Sequence, residues 1–541
     1  MRLRLILPIL AGSVVLFGCG KNPAGSTAPT GAPTRQVLNI GNHAEPQDLD
    51  PQAISGIPEH TLVGALFEGL VTEDPKDLHP VPGVAESWDI SADGRVYTFK
   101  LRPNAKWSNG TPLTADDFVR SYQRMLSPKF AAEYAYLLYN VLEGAKAYYD
   151  GQTSDFGTVG VKAVDPHTLE IRLKNPTPFL LQVIASHYAW GVVPVDVILQ
   201  HGALEQKRTN WTRLGNLVGN GAFRLKEWVP NQRIVMDRNP HYWDAANVKL
   251  DEVVFHPVDD YAAEERMFRT GQLDLTYEFP NAKIDTYRRD YPDALRMEPY
   301  LGVYFFRCNV ARPPLSDKRV RQALALAVDR EALVKHVMRG GQEPAYALTY
   351  PGVAGYTPLA RLQGSVAEAK RLLADAGFPD GRGLPEIPLI YNASDNNKAV
   401  AEAVQDMWKR NLGVTIRLEN QDWKTYLDVQ DTKNFTLQRA GWIADYVDPH
   451  VFLELWETNS GNNDSNWGNA EYDRLLQQAL AAPTLEERYA LYQKMDAILV
   501  DELPAIPLFY YTTVRAVSPK VRGYHPTLLD HHPLKHLWIG D

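Results

Sequence analysis

Cysteine is scarce in this chain, because only Cys19 and Cys308 occur among its 541 residues. If Cys19 is consumed by the modification described below, Cys308 is left alone and no intrachain disulfide can form. The framework of a small disulfide-stapled protein is therefore excluded, and hydrophobic cores have to supply the stability. A chain of this length is expected to divide into about two or three domains.

An excess of positive charge is also lacking. The formal net charge is −9 and no basic stripe is present, so we expect no binding to nucleic acid. Catalytic motifs are equally absent: there is no nucleophile elbow, no phosphate-cradling glycine loop and no His-Glu-x-x-His zinc pattern. His531, His532 and His536 cluster near the carboxyl end, but no paired ligands stand at metal spacing, so we interpret them as structural or surface histidines. We predict a binding protein rather than an enzyme, with no metal and no cofactor.

Long apolar runs are missing, apart from one at the amino terminus. After a positively charged start, Leu5–Phe17 is apolar but short for a membrane span. Leu16-Phe-Gly-Cys19 then has the order of a bacterial lipoprotein processing site. We predict that residues 1–19 are a lipoprotein signal peptide ending in a lipidated Cys19; the alternative is a plain signal peptide with an incidental cysteine. Residues 20–35, rich in Pro, Gly, Ser and Thr, are predicted to be a flexible tether that holds the protein near a membrane outside the cytoplasm.

Apolar periodicity along the remaining chain predicts strands that alternate with helices. The predicted strands are 37–40, 95–102, a pair within 159–173, a hairpin over 220–238, 253–256, 273–277, 303–306, 387–391, 414–418, 435–438 and 506–516, with a strand leading into a helix over 192–199. The predicted helices are 61–70, 114–125, 261–270, 317–328, 365–376, 397–411, 470–480 and 485–502. This alternation indicates an α/β architecture with helix-covered sheets.

One short stretch, Arg439-Ala-Gly-Trp-Ile-Ala-Asp445-Tyr, combines residue types that suit a ligand. Gly441 follows the predicted strand and allows a close approach of backbone, while Trp442 offers a broad apolar face. Asp445 supplies a carboxylate that is able to hold an ammonium group. The alternative is an ordinary strand end with a surface aspartate.

Five blocks of sequence carry a resemblance to a known family. They are Ala85–Trp88, Thr98–Phe118, Asn239–Trp243, Val320–Arg330 and Trp467–Asp473. In order and spacing they resemble the periplasmic oligopeptide-binding proteins of ABC importers, within the oligopeptide, dipeptide and nickel class of solute-binding proteins. The resemblance extends from about residue 37 to the end of the chain.

The resemblance implies a fold of two α/β lobes joined by a hinge, with a third, smaller domain inserted in the first lobe. Closing such a hinge buries the ligand. The implied boundaries are 36–67, 190–301 and 512–541 for lobe I, 68–189 for the inserted domain and 302–511 for lobe II.

The resemblance also implies a binding mode, in which an extended peptide pairs its main chain with both lobes. The matching segments are Ser55, Gly56 and Ile57 in lobe I and Gly441, Trp442 and Ile443 in lobe II. The family's acidic residue for the ligand ammonium falls on Asp445, and Tyr134 and Trp423 match residues that line the cleft.

Departures from the family pattern concern the other end of the ligand. Two positions joined by a disulfide in a relative correspond to Gly302 and Ile443, so that this link is absent. Basic positions that bind the ligand carboxylate correspond to Met338 and Gln430, an acidic position corresponds to Arg307, and only Arg439 keeps its charge. Our hypothesis is that Arg307 or Arg439 receives the peptide carboxylate; for Arg307 the alternative is a surface or intramolecular salt bridge.

Taken with the resemblance, these residues predict a lipid-anchored, monomeric protein that captures oligopeptides and delivers them to an ABC permease with its ATPase subunits. Alternatives within the class are binders of murein peptides, dipeptides, nickel or haem. A lone carboxylate suited to an ammonium disfavours nickel and haem. A peptide receptor for signalling is a further alternative, and a peptide hydrolase is disfavoured because no nucleophile or metal motif supports it.

Overall fold

The computed structural model describes residues 35–54, 57–458 and 460–540, with the backbone alone for residues 57, 395, 423 and 424. Four predictions therefore fall outside the described residues: the signal peptide, the lipidation of Cys19, nearly all of the tether, and the roles of Ser55 and Gly56. Within the described part of the chain, no helix has the length and apolar character needed to cross a membrane.

The strands form several separate sheets. Their bounds are β1 Val37–Gly41, β2 Val71–Glu73, β3 Pro80–Pro82, β4 Ala85–Ile90, β5 Val96–Leu101, β6 Val161–Asp165, β7 Thr168–Arg172, β8 Phe223–Val229, β9 Arg233–Arg238, β10 Glu252–His256, β11 Leu295–Cys308, β12 Glu343–Pro344, β13 Ile387–Asn392, β14 Ile416–Gln421, β15 Leu437–Ile443, β16 Ala505–Ala516, β17 Val521–Arg522 and β18 Trp538–Ile539.

The helices cover these sheets. Their bounds are α1 Ile57–Leu66, α2 Ala115–Met125, α3 Tyr136–Tyr139, α4 Ala145–Tyr149, α5 Leu180–Ser186, α6 Val195–His201, α7 Tyr261–Arg269, α8 Ile284–Asp290, α9 Lys318–Leu326, α10 Arg330–Ala332, α11 Val366–Asp375, α12 Asp395–Leu412, α13 Trp423–Asp431, α14 His450–Leu453, α15 Ala470–Leu480 and α16 Leu485–Glu502.

Two four-stranded sheets are built from the first part of the chain. One has the order β1-β10-β9-β8, in which β1 and β10 run parallel and the other pairs antiparallel. The other has the order β4-β5-β7-β6 and is antiparallel throughout. In β5 the side chains alternate as predicted, with Tyr97, Phe99 and Leu101 buried. Each sheet therefore has its own apolar face to cover.

A six-stranded mixed sheet has the order β12-β16-β11-β15-β13-β14. The long strands β11 and β16 lie side by side and antiparallel, with a register shift between Pro299 and Val303. Both strands cross from the lobe I segments into the lobe II segments of the predicted division. The mixed α/β architecture, with two lobes and a third domain, is the fold that the resemblance implied, and that prediction is confirmed.

The segment predicted to be the inserted domain contacts the predicted lobe II next to Asp445. Phe179 stacks on Tyr446, with ring centroids 5.2 Å apart, and on His450 at 4.6 Å. Ser186 Oγ donates a hydrogen bond to the backbone carbonyl of Asp445 at 2.8 Å. The residue predicted to hold the ligand ammonium therefore lies where these two parts of the chain meet.

Several predicted elements need correction. No strand forms over 192–199, where the described backbone is irregular until α6 begins at Val195. The predicted strand over 273–277 is reduced to isolated bridges at Leu275. The strand expected over 435–438 instead runs from Leu437 to Ile443, because β11 pairs with it along that whole length.

Candidate ligand-binding site

One main-chain edge of strand β15 is paired with a neighbouring strand over only part of its length. β11 pairs with β15 over its full length, from Leu437 to Ile443. On the opposite edge β13 pairs with it only at Leu437 and Gln438. From Arg439 onward this second edge has no strand beside it among the described residues. That is the stretch, Gly441 to Ile443, for which the sequence predicted pairing with a ligand main chain.

Asp445 follows this strand and is half-buried. Tyr136 donates a hydrogen bond from its hydroxyl to Asp445 Oδ2 over 3.4 Å. Burial raises the pKa of Asp445 to about 6, and it does so against the opposing effects of the Tyr136 hydrogen bond and of the charge on His531. The site therefore holds a carboxylate whose charge is only weakly compensated within the chain.

A cavity of about 450 Å³ adjoins Asp445, and we call it the Asp445 cavity. Its other carboxylates all have basic partners. Glu68 Oε2 lies 2.8 Å from Lys535 Nζ, Glu73 Oε2 lies 2.9 Å from His531 Nδ1, and Asp530 is ion-paired with Arg515 and with His532. Among the described residues that line this cavity, Asp445 is the only carboxylate with no basic group within 4 Å. It is therefore free to receive a cationic group from a ligand.

Aromatic rings surround the same cavity. Tyr134 lines it, as predicted for a cleft residue, and its ring lies 4.3 Å from His187 and 5.8 Å from Tyr188 between centroids. Burial and the negative charge of Asp445 raise the pKa of Tyr134 to about 12. Tyr134, Ile443 and Asp445 are thus brought together from distant parts of the sequence.

Arg439 has no carboxylate partner among the residues that the structure describes. Its Nη2 donates to the Tyr511 hydroxyl at 2.9 Å and its Nη1 to Asn392 Oδ1 at 3.3 Å, while the guanidinium lies 4.7 Å above the Tyr304 ring. Its Nε is buried and has no hydrogen-bond acceptor in the described part of the chain. A guanidinium with unused donors is suited to bind a ligand carboxylate.

Arg307 has a different environment. Its side chain is almost completely buried, and its Nη1 lies 2.7 Å from Asp464 Oδ2 and donates to Gln438 Oε1 at 3.2 Å. This is the intramolecular salt bridge that the sequence left open as the alternative. Of the two arginines considered for the ligand carboxylate, Arg439 is the one without an acidic partner.

Gly441 and Gly302 are required by close packing. A Cβ at Gly441 would lie 2.4 Å from the Tyr511 hydroxyl, so the absence of a side chain here makes room for Tyr511. From the sequence, this glycine was expected to allow a close approach of backbone instead. Gly302 pairs directly with Ile443, and a Cβ at Gly302 would lie 2.4 Å from Ile443 Cδ1. The two positions that a disulfide joins in a relative therefore face each other here as a glycine and an isoleucine.

Three other predicted site residues do not contribute a described side chain to the Asp445 cavity. Trp442 packs against the largest buried apolar cluster and does not line the Asp445 cavity. Ile57 is the first residue of α1, so its backbone is helical and does not extend a strand edge as predicted. Trp423 begins α13, but its side chain lies outside the described atoms.

Several residues of the site carried no local signal in the sequence. His531 was interpreted as a structural or surface residue, yet it lines the cavity and pairs with Glu73, which lies 458 residues earlier. Burial lowers the pKa of His531, but the charge and hydrogen bond of Glu73 together with the charges of Asp530 and Asp445 outweigh it, so the pKa of His531 is raised. Tyr511 was likewise not singled out, because its neighbours in sequence do not reveal what it contacts.

Donor atoms of Glu298, Asp530 and His532 lie within 4.8 Å of one another and form a possible metal cluster. Asp530 is already ion-paired with Arg515 in this cluster, so one of its oxygens is engaged by a cation of the chain itself. We assign no metal to it.

Comparison with known proteins agrees with this geometry. Residues 79–464 match the model of the bacterial extracellular solute-binding proteins, family 5. The chain belongs to this family. Its members are solute-binding proteins, and the resemblance predicted from sequence is confirmed.

Individual relatives of this family-5 protein align over nearly their whole length. The periplasmic oligopeptide-binding protein OppA of Escherichia coli is 38% identical over 96% of this chain and 94% of its own. The structure of the Escherichia coli murein tripeptide binding protein MppA has a TM-score of 0.81 at 37% identity, and covers 94% of this chain and 99% of its own. Haemophilus influenzae OppA, in complex with RPPGFSPFR, has a TM-score of 0.77 at 32% identity, with coverages of 94% and 99%.

Proposed function

We propose that this protein binds oligopeptides outside the cytoplasm, with the ligand ammonium held by Asp445. The observation that carries the proposal is that Asp445 has no basic partner among the described residues, whereas every other described carboxylate lining its cavity is paired with a basic side chain. A buried carboxylate is stable as an ion only when a charge or hydrogen bonds compensate it, and a ligand ammonium supplies both. The relatives reported above are named as binders of oligopeptides and of murein tripeptides, which supports the same ligand class.

Arg439 is the proposed partner of the ligand carboxylate. It lies six residues before Asp445, so both side chains point to the same face if the backbone is extended between them. Six extended residues span about 20 Å, which sets an upper limit of roughly six residues for a peptide held at both ends. Such a peptide would run antiparallel to β15 along its unpaired edge.

The domain boundaries and cellular role belong to the same proposal. The strands of each sheet come from one predicted domain, except that β11 and β16 cross the boundaries at 301/302 and 511/512, where a hinge is expected. We further propose anchoring through a lipid at Cys19, a monomeric state, and delivery of the peptide to an ABC permease driven by ATPase subunits. Periplasmic relatives support the extracytoplasmic location.

The proposal is tested by isothermal titration of ligand-free protein with tri-alanine and with N-acetylated tri-alanine, which lacks the ammonium. We expect tri-alanine to bind and acetylation to weaken binding at least about 30-fold, the equivalent of about 2 kcal/mol. Asp445→Asn should weaken the free peptide by a similar factor and leave the acetylated peptide unchanged. Equal affinities for the two peptides, or an unchanged affinity in Asp445→Asn, would contradict the proposal. Mass spectrometry of the recovered peptide should return it intact.

A further inference from the structure

A second cavity, of about 440 Å³, lies beside the Asp445 cavity. Neighbouring residues of the chain divide between the two: His60 and Tyr134 line the Asp445 cavity, whereas Glu59 and Glu133 line the second. Ile54 also lines the second cavity, and its carbonyl accepts a hydrogen bond from the Tyr188 hydroxyl across 3.4 Å. Since Tyr188 lines the Asp445 cavity, the two cavities share a wall.

The second cavity, which we call the Asp48 cavity, is acidic. Asp48, only 3% exposed, and Glu59, 6% exposed, are buried in it, and Glu133 is exposed beside them. Asp48 Oδ1 accepts hydrogen bonds from the Leu49 N–H and the Thr212 hydroxyl, both over 2.7 Å. Asp48 Oδ2 is buried and has no hydrogen-bond donor within the described part of the chain. A carboxylate oxygen left in this state is costly unless a ligand completes it.

The basic residues of the same cavity do not neutralise these carboxylates. Lys207 Nζ donates to the Ala131 carbonyl at 2.8 Å, and Arg208 Nη2 donates to Gln47 Oε1 at 3.4 Å. Among the described residues neither forms an ion pair with Asp48, Glu59 or Glu133. Three carboxylates and two basic side chains line the cavity, so one negative charge is in excess, and within the described chain its carboxylates have no ionic partner.

The volume of the Asp48 cavity and the positions of its carboxylates favour an organic cation over a bare metal ion. In the described residues, the groups of three acidic or histidine side chains whose ligand atoms lie within 4.8 Å of one another include neither Asp48 nor Glu59. The volume is also far larger than one ion needs. A lysine or arginine side chain suits both features, because its methylene stem packs on apolar residues such as Ile54 while its charged end reaches the carboxylates.

We propose that the Asp48 cavity is a subsite for a basic side chain of the bound peptide. This inference rests on the proposed function, since it takes the ligand ammonium to lie at Asp445 in the neighbouring cavity. It makes the protein selective for peptides that carry lysine or arginine at one fixed position. That position is counted from the amino end, because the ammonium anchor sets the register.

Isothermal titration with matched tripeptides tests the subsite. Each of the three positions of tri-alanine is replaced in turn by lysine or by methionine, which has a similar length and no charge. At one position the lysine peptide should bind at least about tenfold tighter than the methionine peptide. Asp48→Asn, which keeps the Oδ1 acceptor, should remove this advantage and change tri-alanine affinity by less than about twofold. Asp89→Asn, which removes an exposed carboxylate of β4, is the matched control and should change neither value.

Different results would contradict the subsite, replace it with a metal site, or contradict the proposed function itself. Equal affinities for lysine and methionine at every position, or a lysine advantage that survives in Asp48→Asn combined with Glu59→Gln, would overturn the subsite while tri-alanine still binds. A calcium ion that binds peptide-free protein and is lost in Asp48→Asn would overturn it in favour of a metal site. If no peptide binds, tri-alanine included, the proposed function itself fails and the subsite with it. Should Asp48→Asn not fold, Glu133→Gln alters an exposed residue and should reduce the advantage about threefold; no reduction would count against the subsite.

Discussion

Opposite charges lie near the two ends of strand β15, and neither has an oppositely charged partner among the described residues. At the carboxyl end, Asp445 faces a cavity in which every other carboxylate is paired. At the amino end, Arg439 is held by tyrosine and asparagine side chains and by no acid of the described chain. Buried charges of the predicted lobe II are held in two ways: Asp448 pairs with Arg488 at 2.8 Å, whereas Asp496 accepts hydrogen bonds from the Thr349 and Tyr356 hydroxyls and has no basic partner among the described residues. What distinguishes β15 is that opposite charges without ionic partners lie near its two ends, which suits a ligand that is itself positive at one end and negative at the other.

Arg307 and Arg439 differ in the same way. Arg307 and Arg439 lie on neighbouring strands, where Phe306 pairs with Arg439 and Arg307 with Gln438. Arg307 is neutralised by Asp464, and Arg439 is not. Two arginines that looked equivalent in sequence therefore have opposite expected roles, one in stability and the other in binding.

The largest expected effect is on stability and concerns Arg307. Arg307→Ala leaves the buried Asp464 carboxylate without its partner, so the free energy of unfolding should fall by about 3 to 5 kcal/mol. Tri-alanine affinity of the folded protein should change little. Chemical denaturation followed by circular dichroism measures the first quantity and isothermal titration the second. A selective loss of affinity for peptides with a free carboxylate, at unchanged stability, would assign the ligand carboxylate to Arg307 instead.

The next effect is on binding and concerns Arg439. Arg439→Gln removes the charge facing the ligand carboxylate, so the affinity for hexa-alanine, which is long enough to reach both Asp445 and Arg439, should fall by about tenfold to a hundredfold. Hexa-alanine amide, which lacks the carboxylate, should bind wild type and variant equally. This comparison of the two peptides separates a lost contact from a distorted cleft. If the variant weakens both peptides to the same extent, Arg439 does not contact the carboxylate.

The smallest effect is on pH dependence and distinguishes the two ends. The pKa of Asp445 is raised to about 6 in the peptide-free protein, and only its ionised form attracts an ammonium. Below pH 6 binding has to displace a proton, so affinity should fall by about tenfold per pH unit, and it should be level between pH 6.5 and 7.5. Arg439 stays charged throughout and adds no such slope.

His531, whose pKa is raised mainly by Glu73, and Glu454, whose pKa burial raises to about 7, also lie near Asp445, so a control is needed. Titration of Asp445→Asn with tri-alanine over the same pH range provides it. The variant should bind weakly and with little dependence on pH. A slope as steep as that of wild type would show that another group controls the pH dependence.

Elements with strong local signals were predictable from sequence. Helix α2 begins after Thr114, whose backbone N–H donates to Asp117 Oδ2 at 2.7 Å, close to the predicted start of this helix. Helices α15 and α16 have the predicted bounds. Strand lengths were less predictable, because a strand extends only as far as its neighbour pairs with it: β15 runs to Ile443 through its contact with β11. At 273–277 an apolar run finds only isolated bridges.

The α/β class could be predicted from the local pattern of apolar residues, and the spacing of five sequence blocks indicated the family, whose resemblance in turn pointed to Asp445, Tyr134 and Arg439. Which charges are compensated could be seen only in the folded chain. Glu73 meets His531 across 458 residues and Arg307 meets Asp464 across a sheet, and neither pairing is written in neighbouring residues. The cost of burying a charge depends on what surrounds it in space, so the unpaired Asp445 and Asp48 emerge only once the chain is folded.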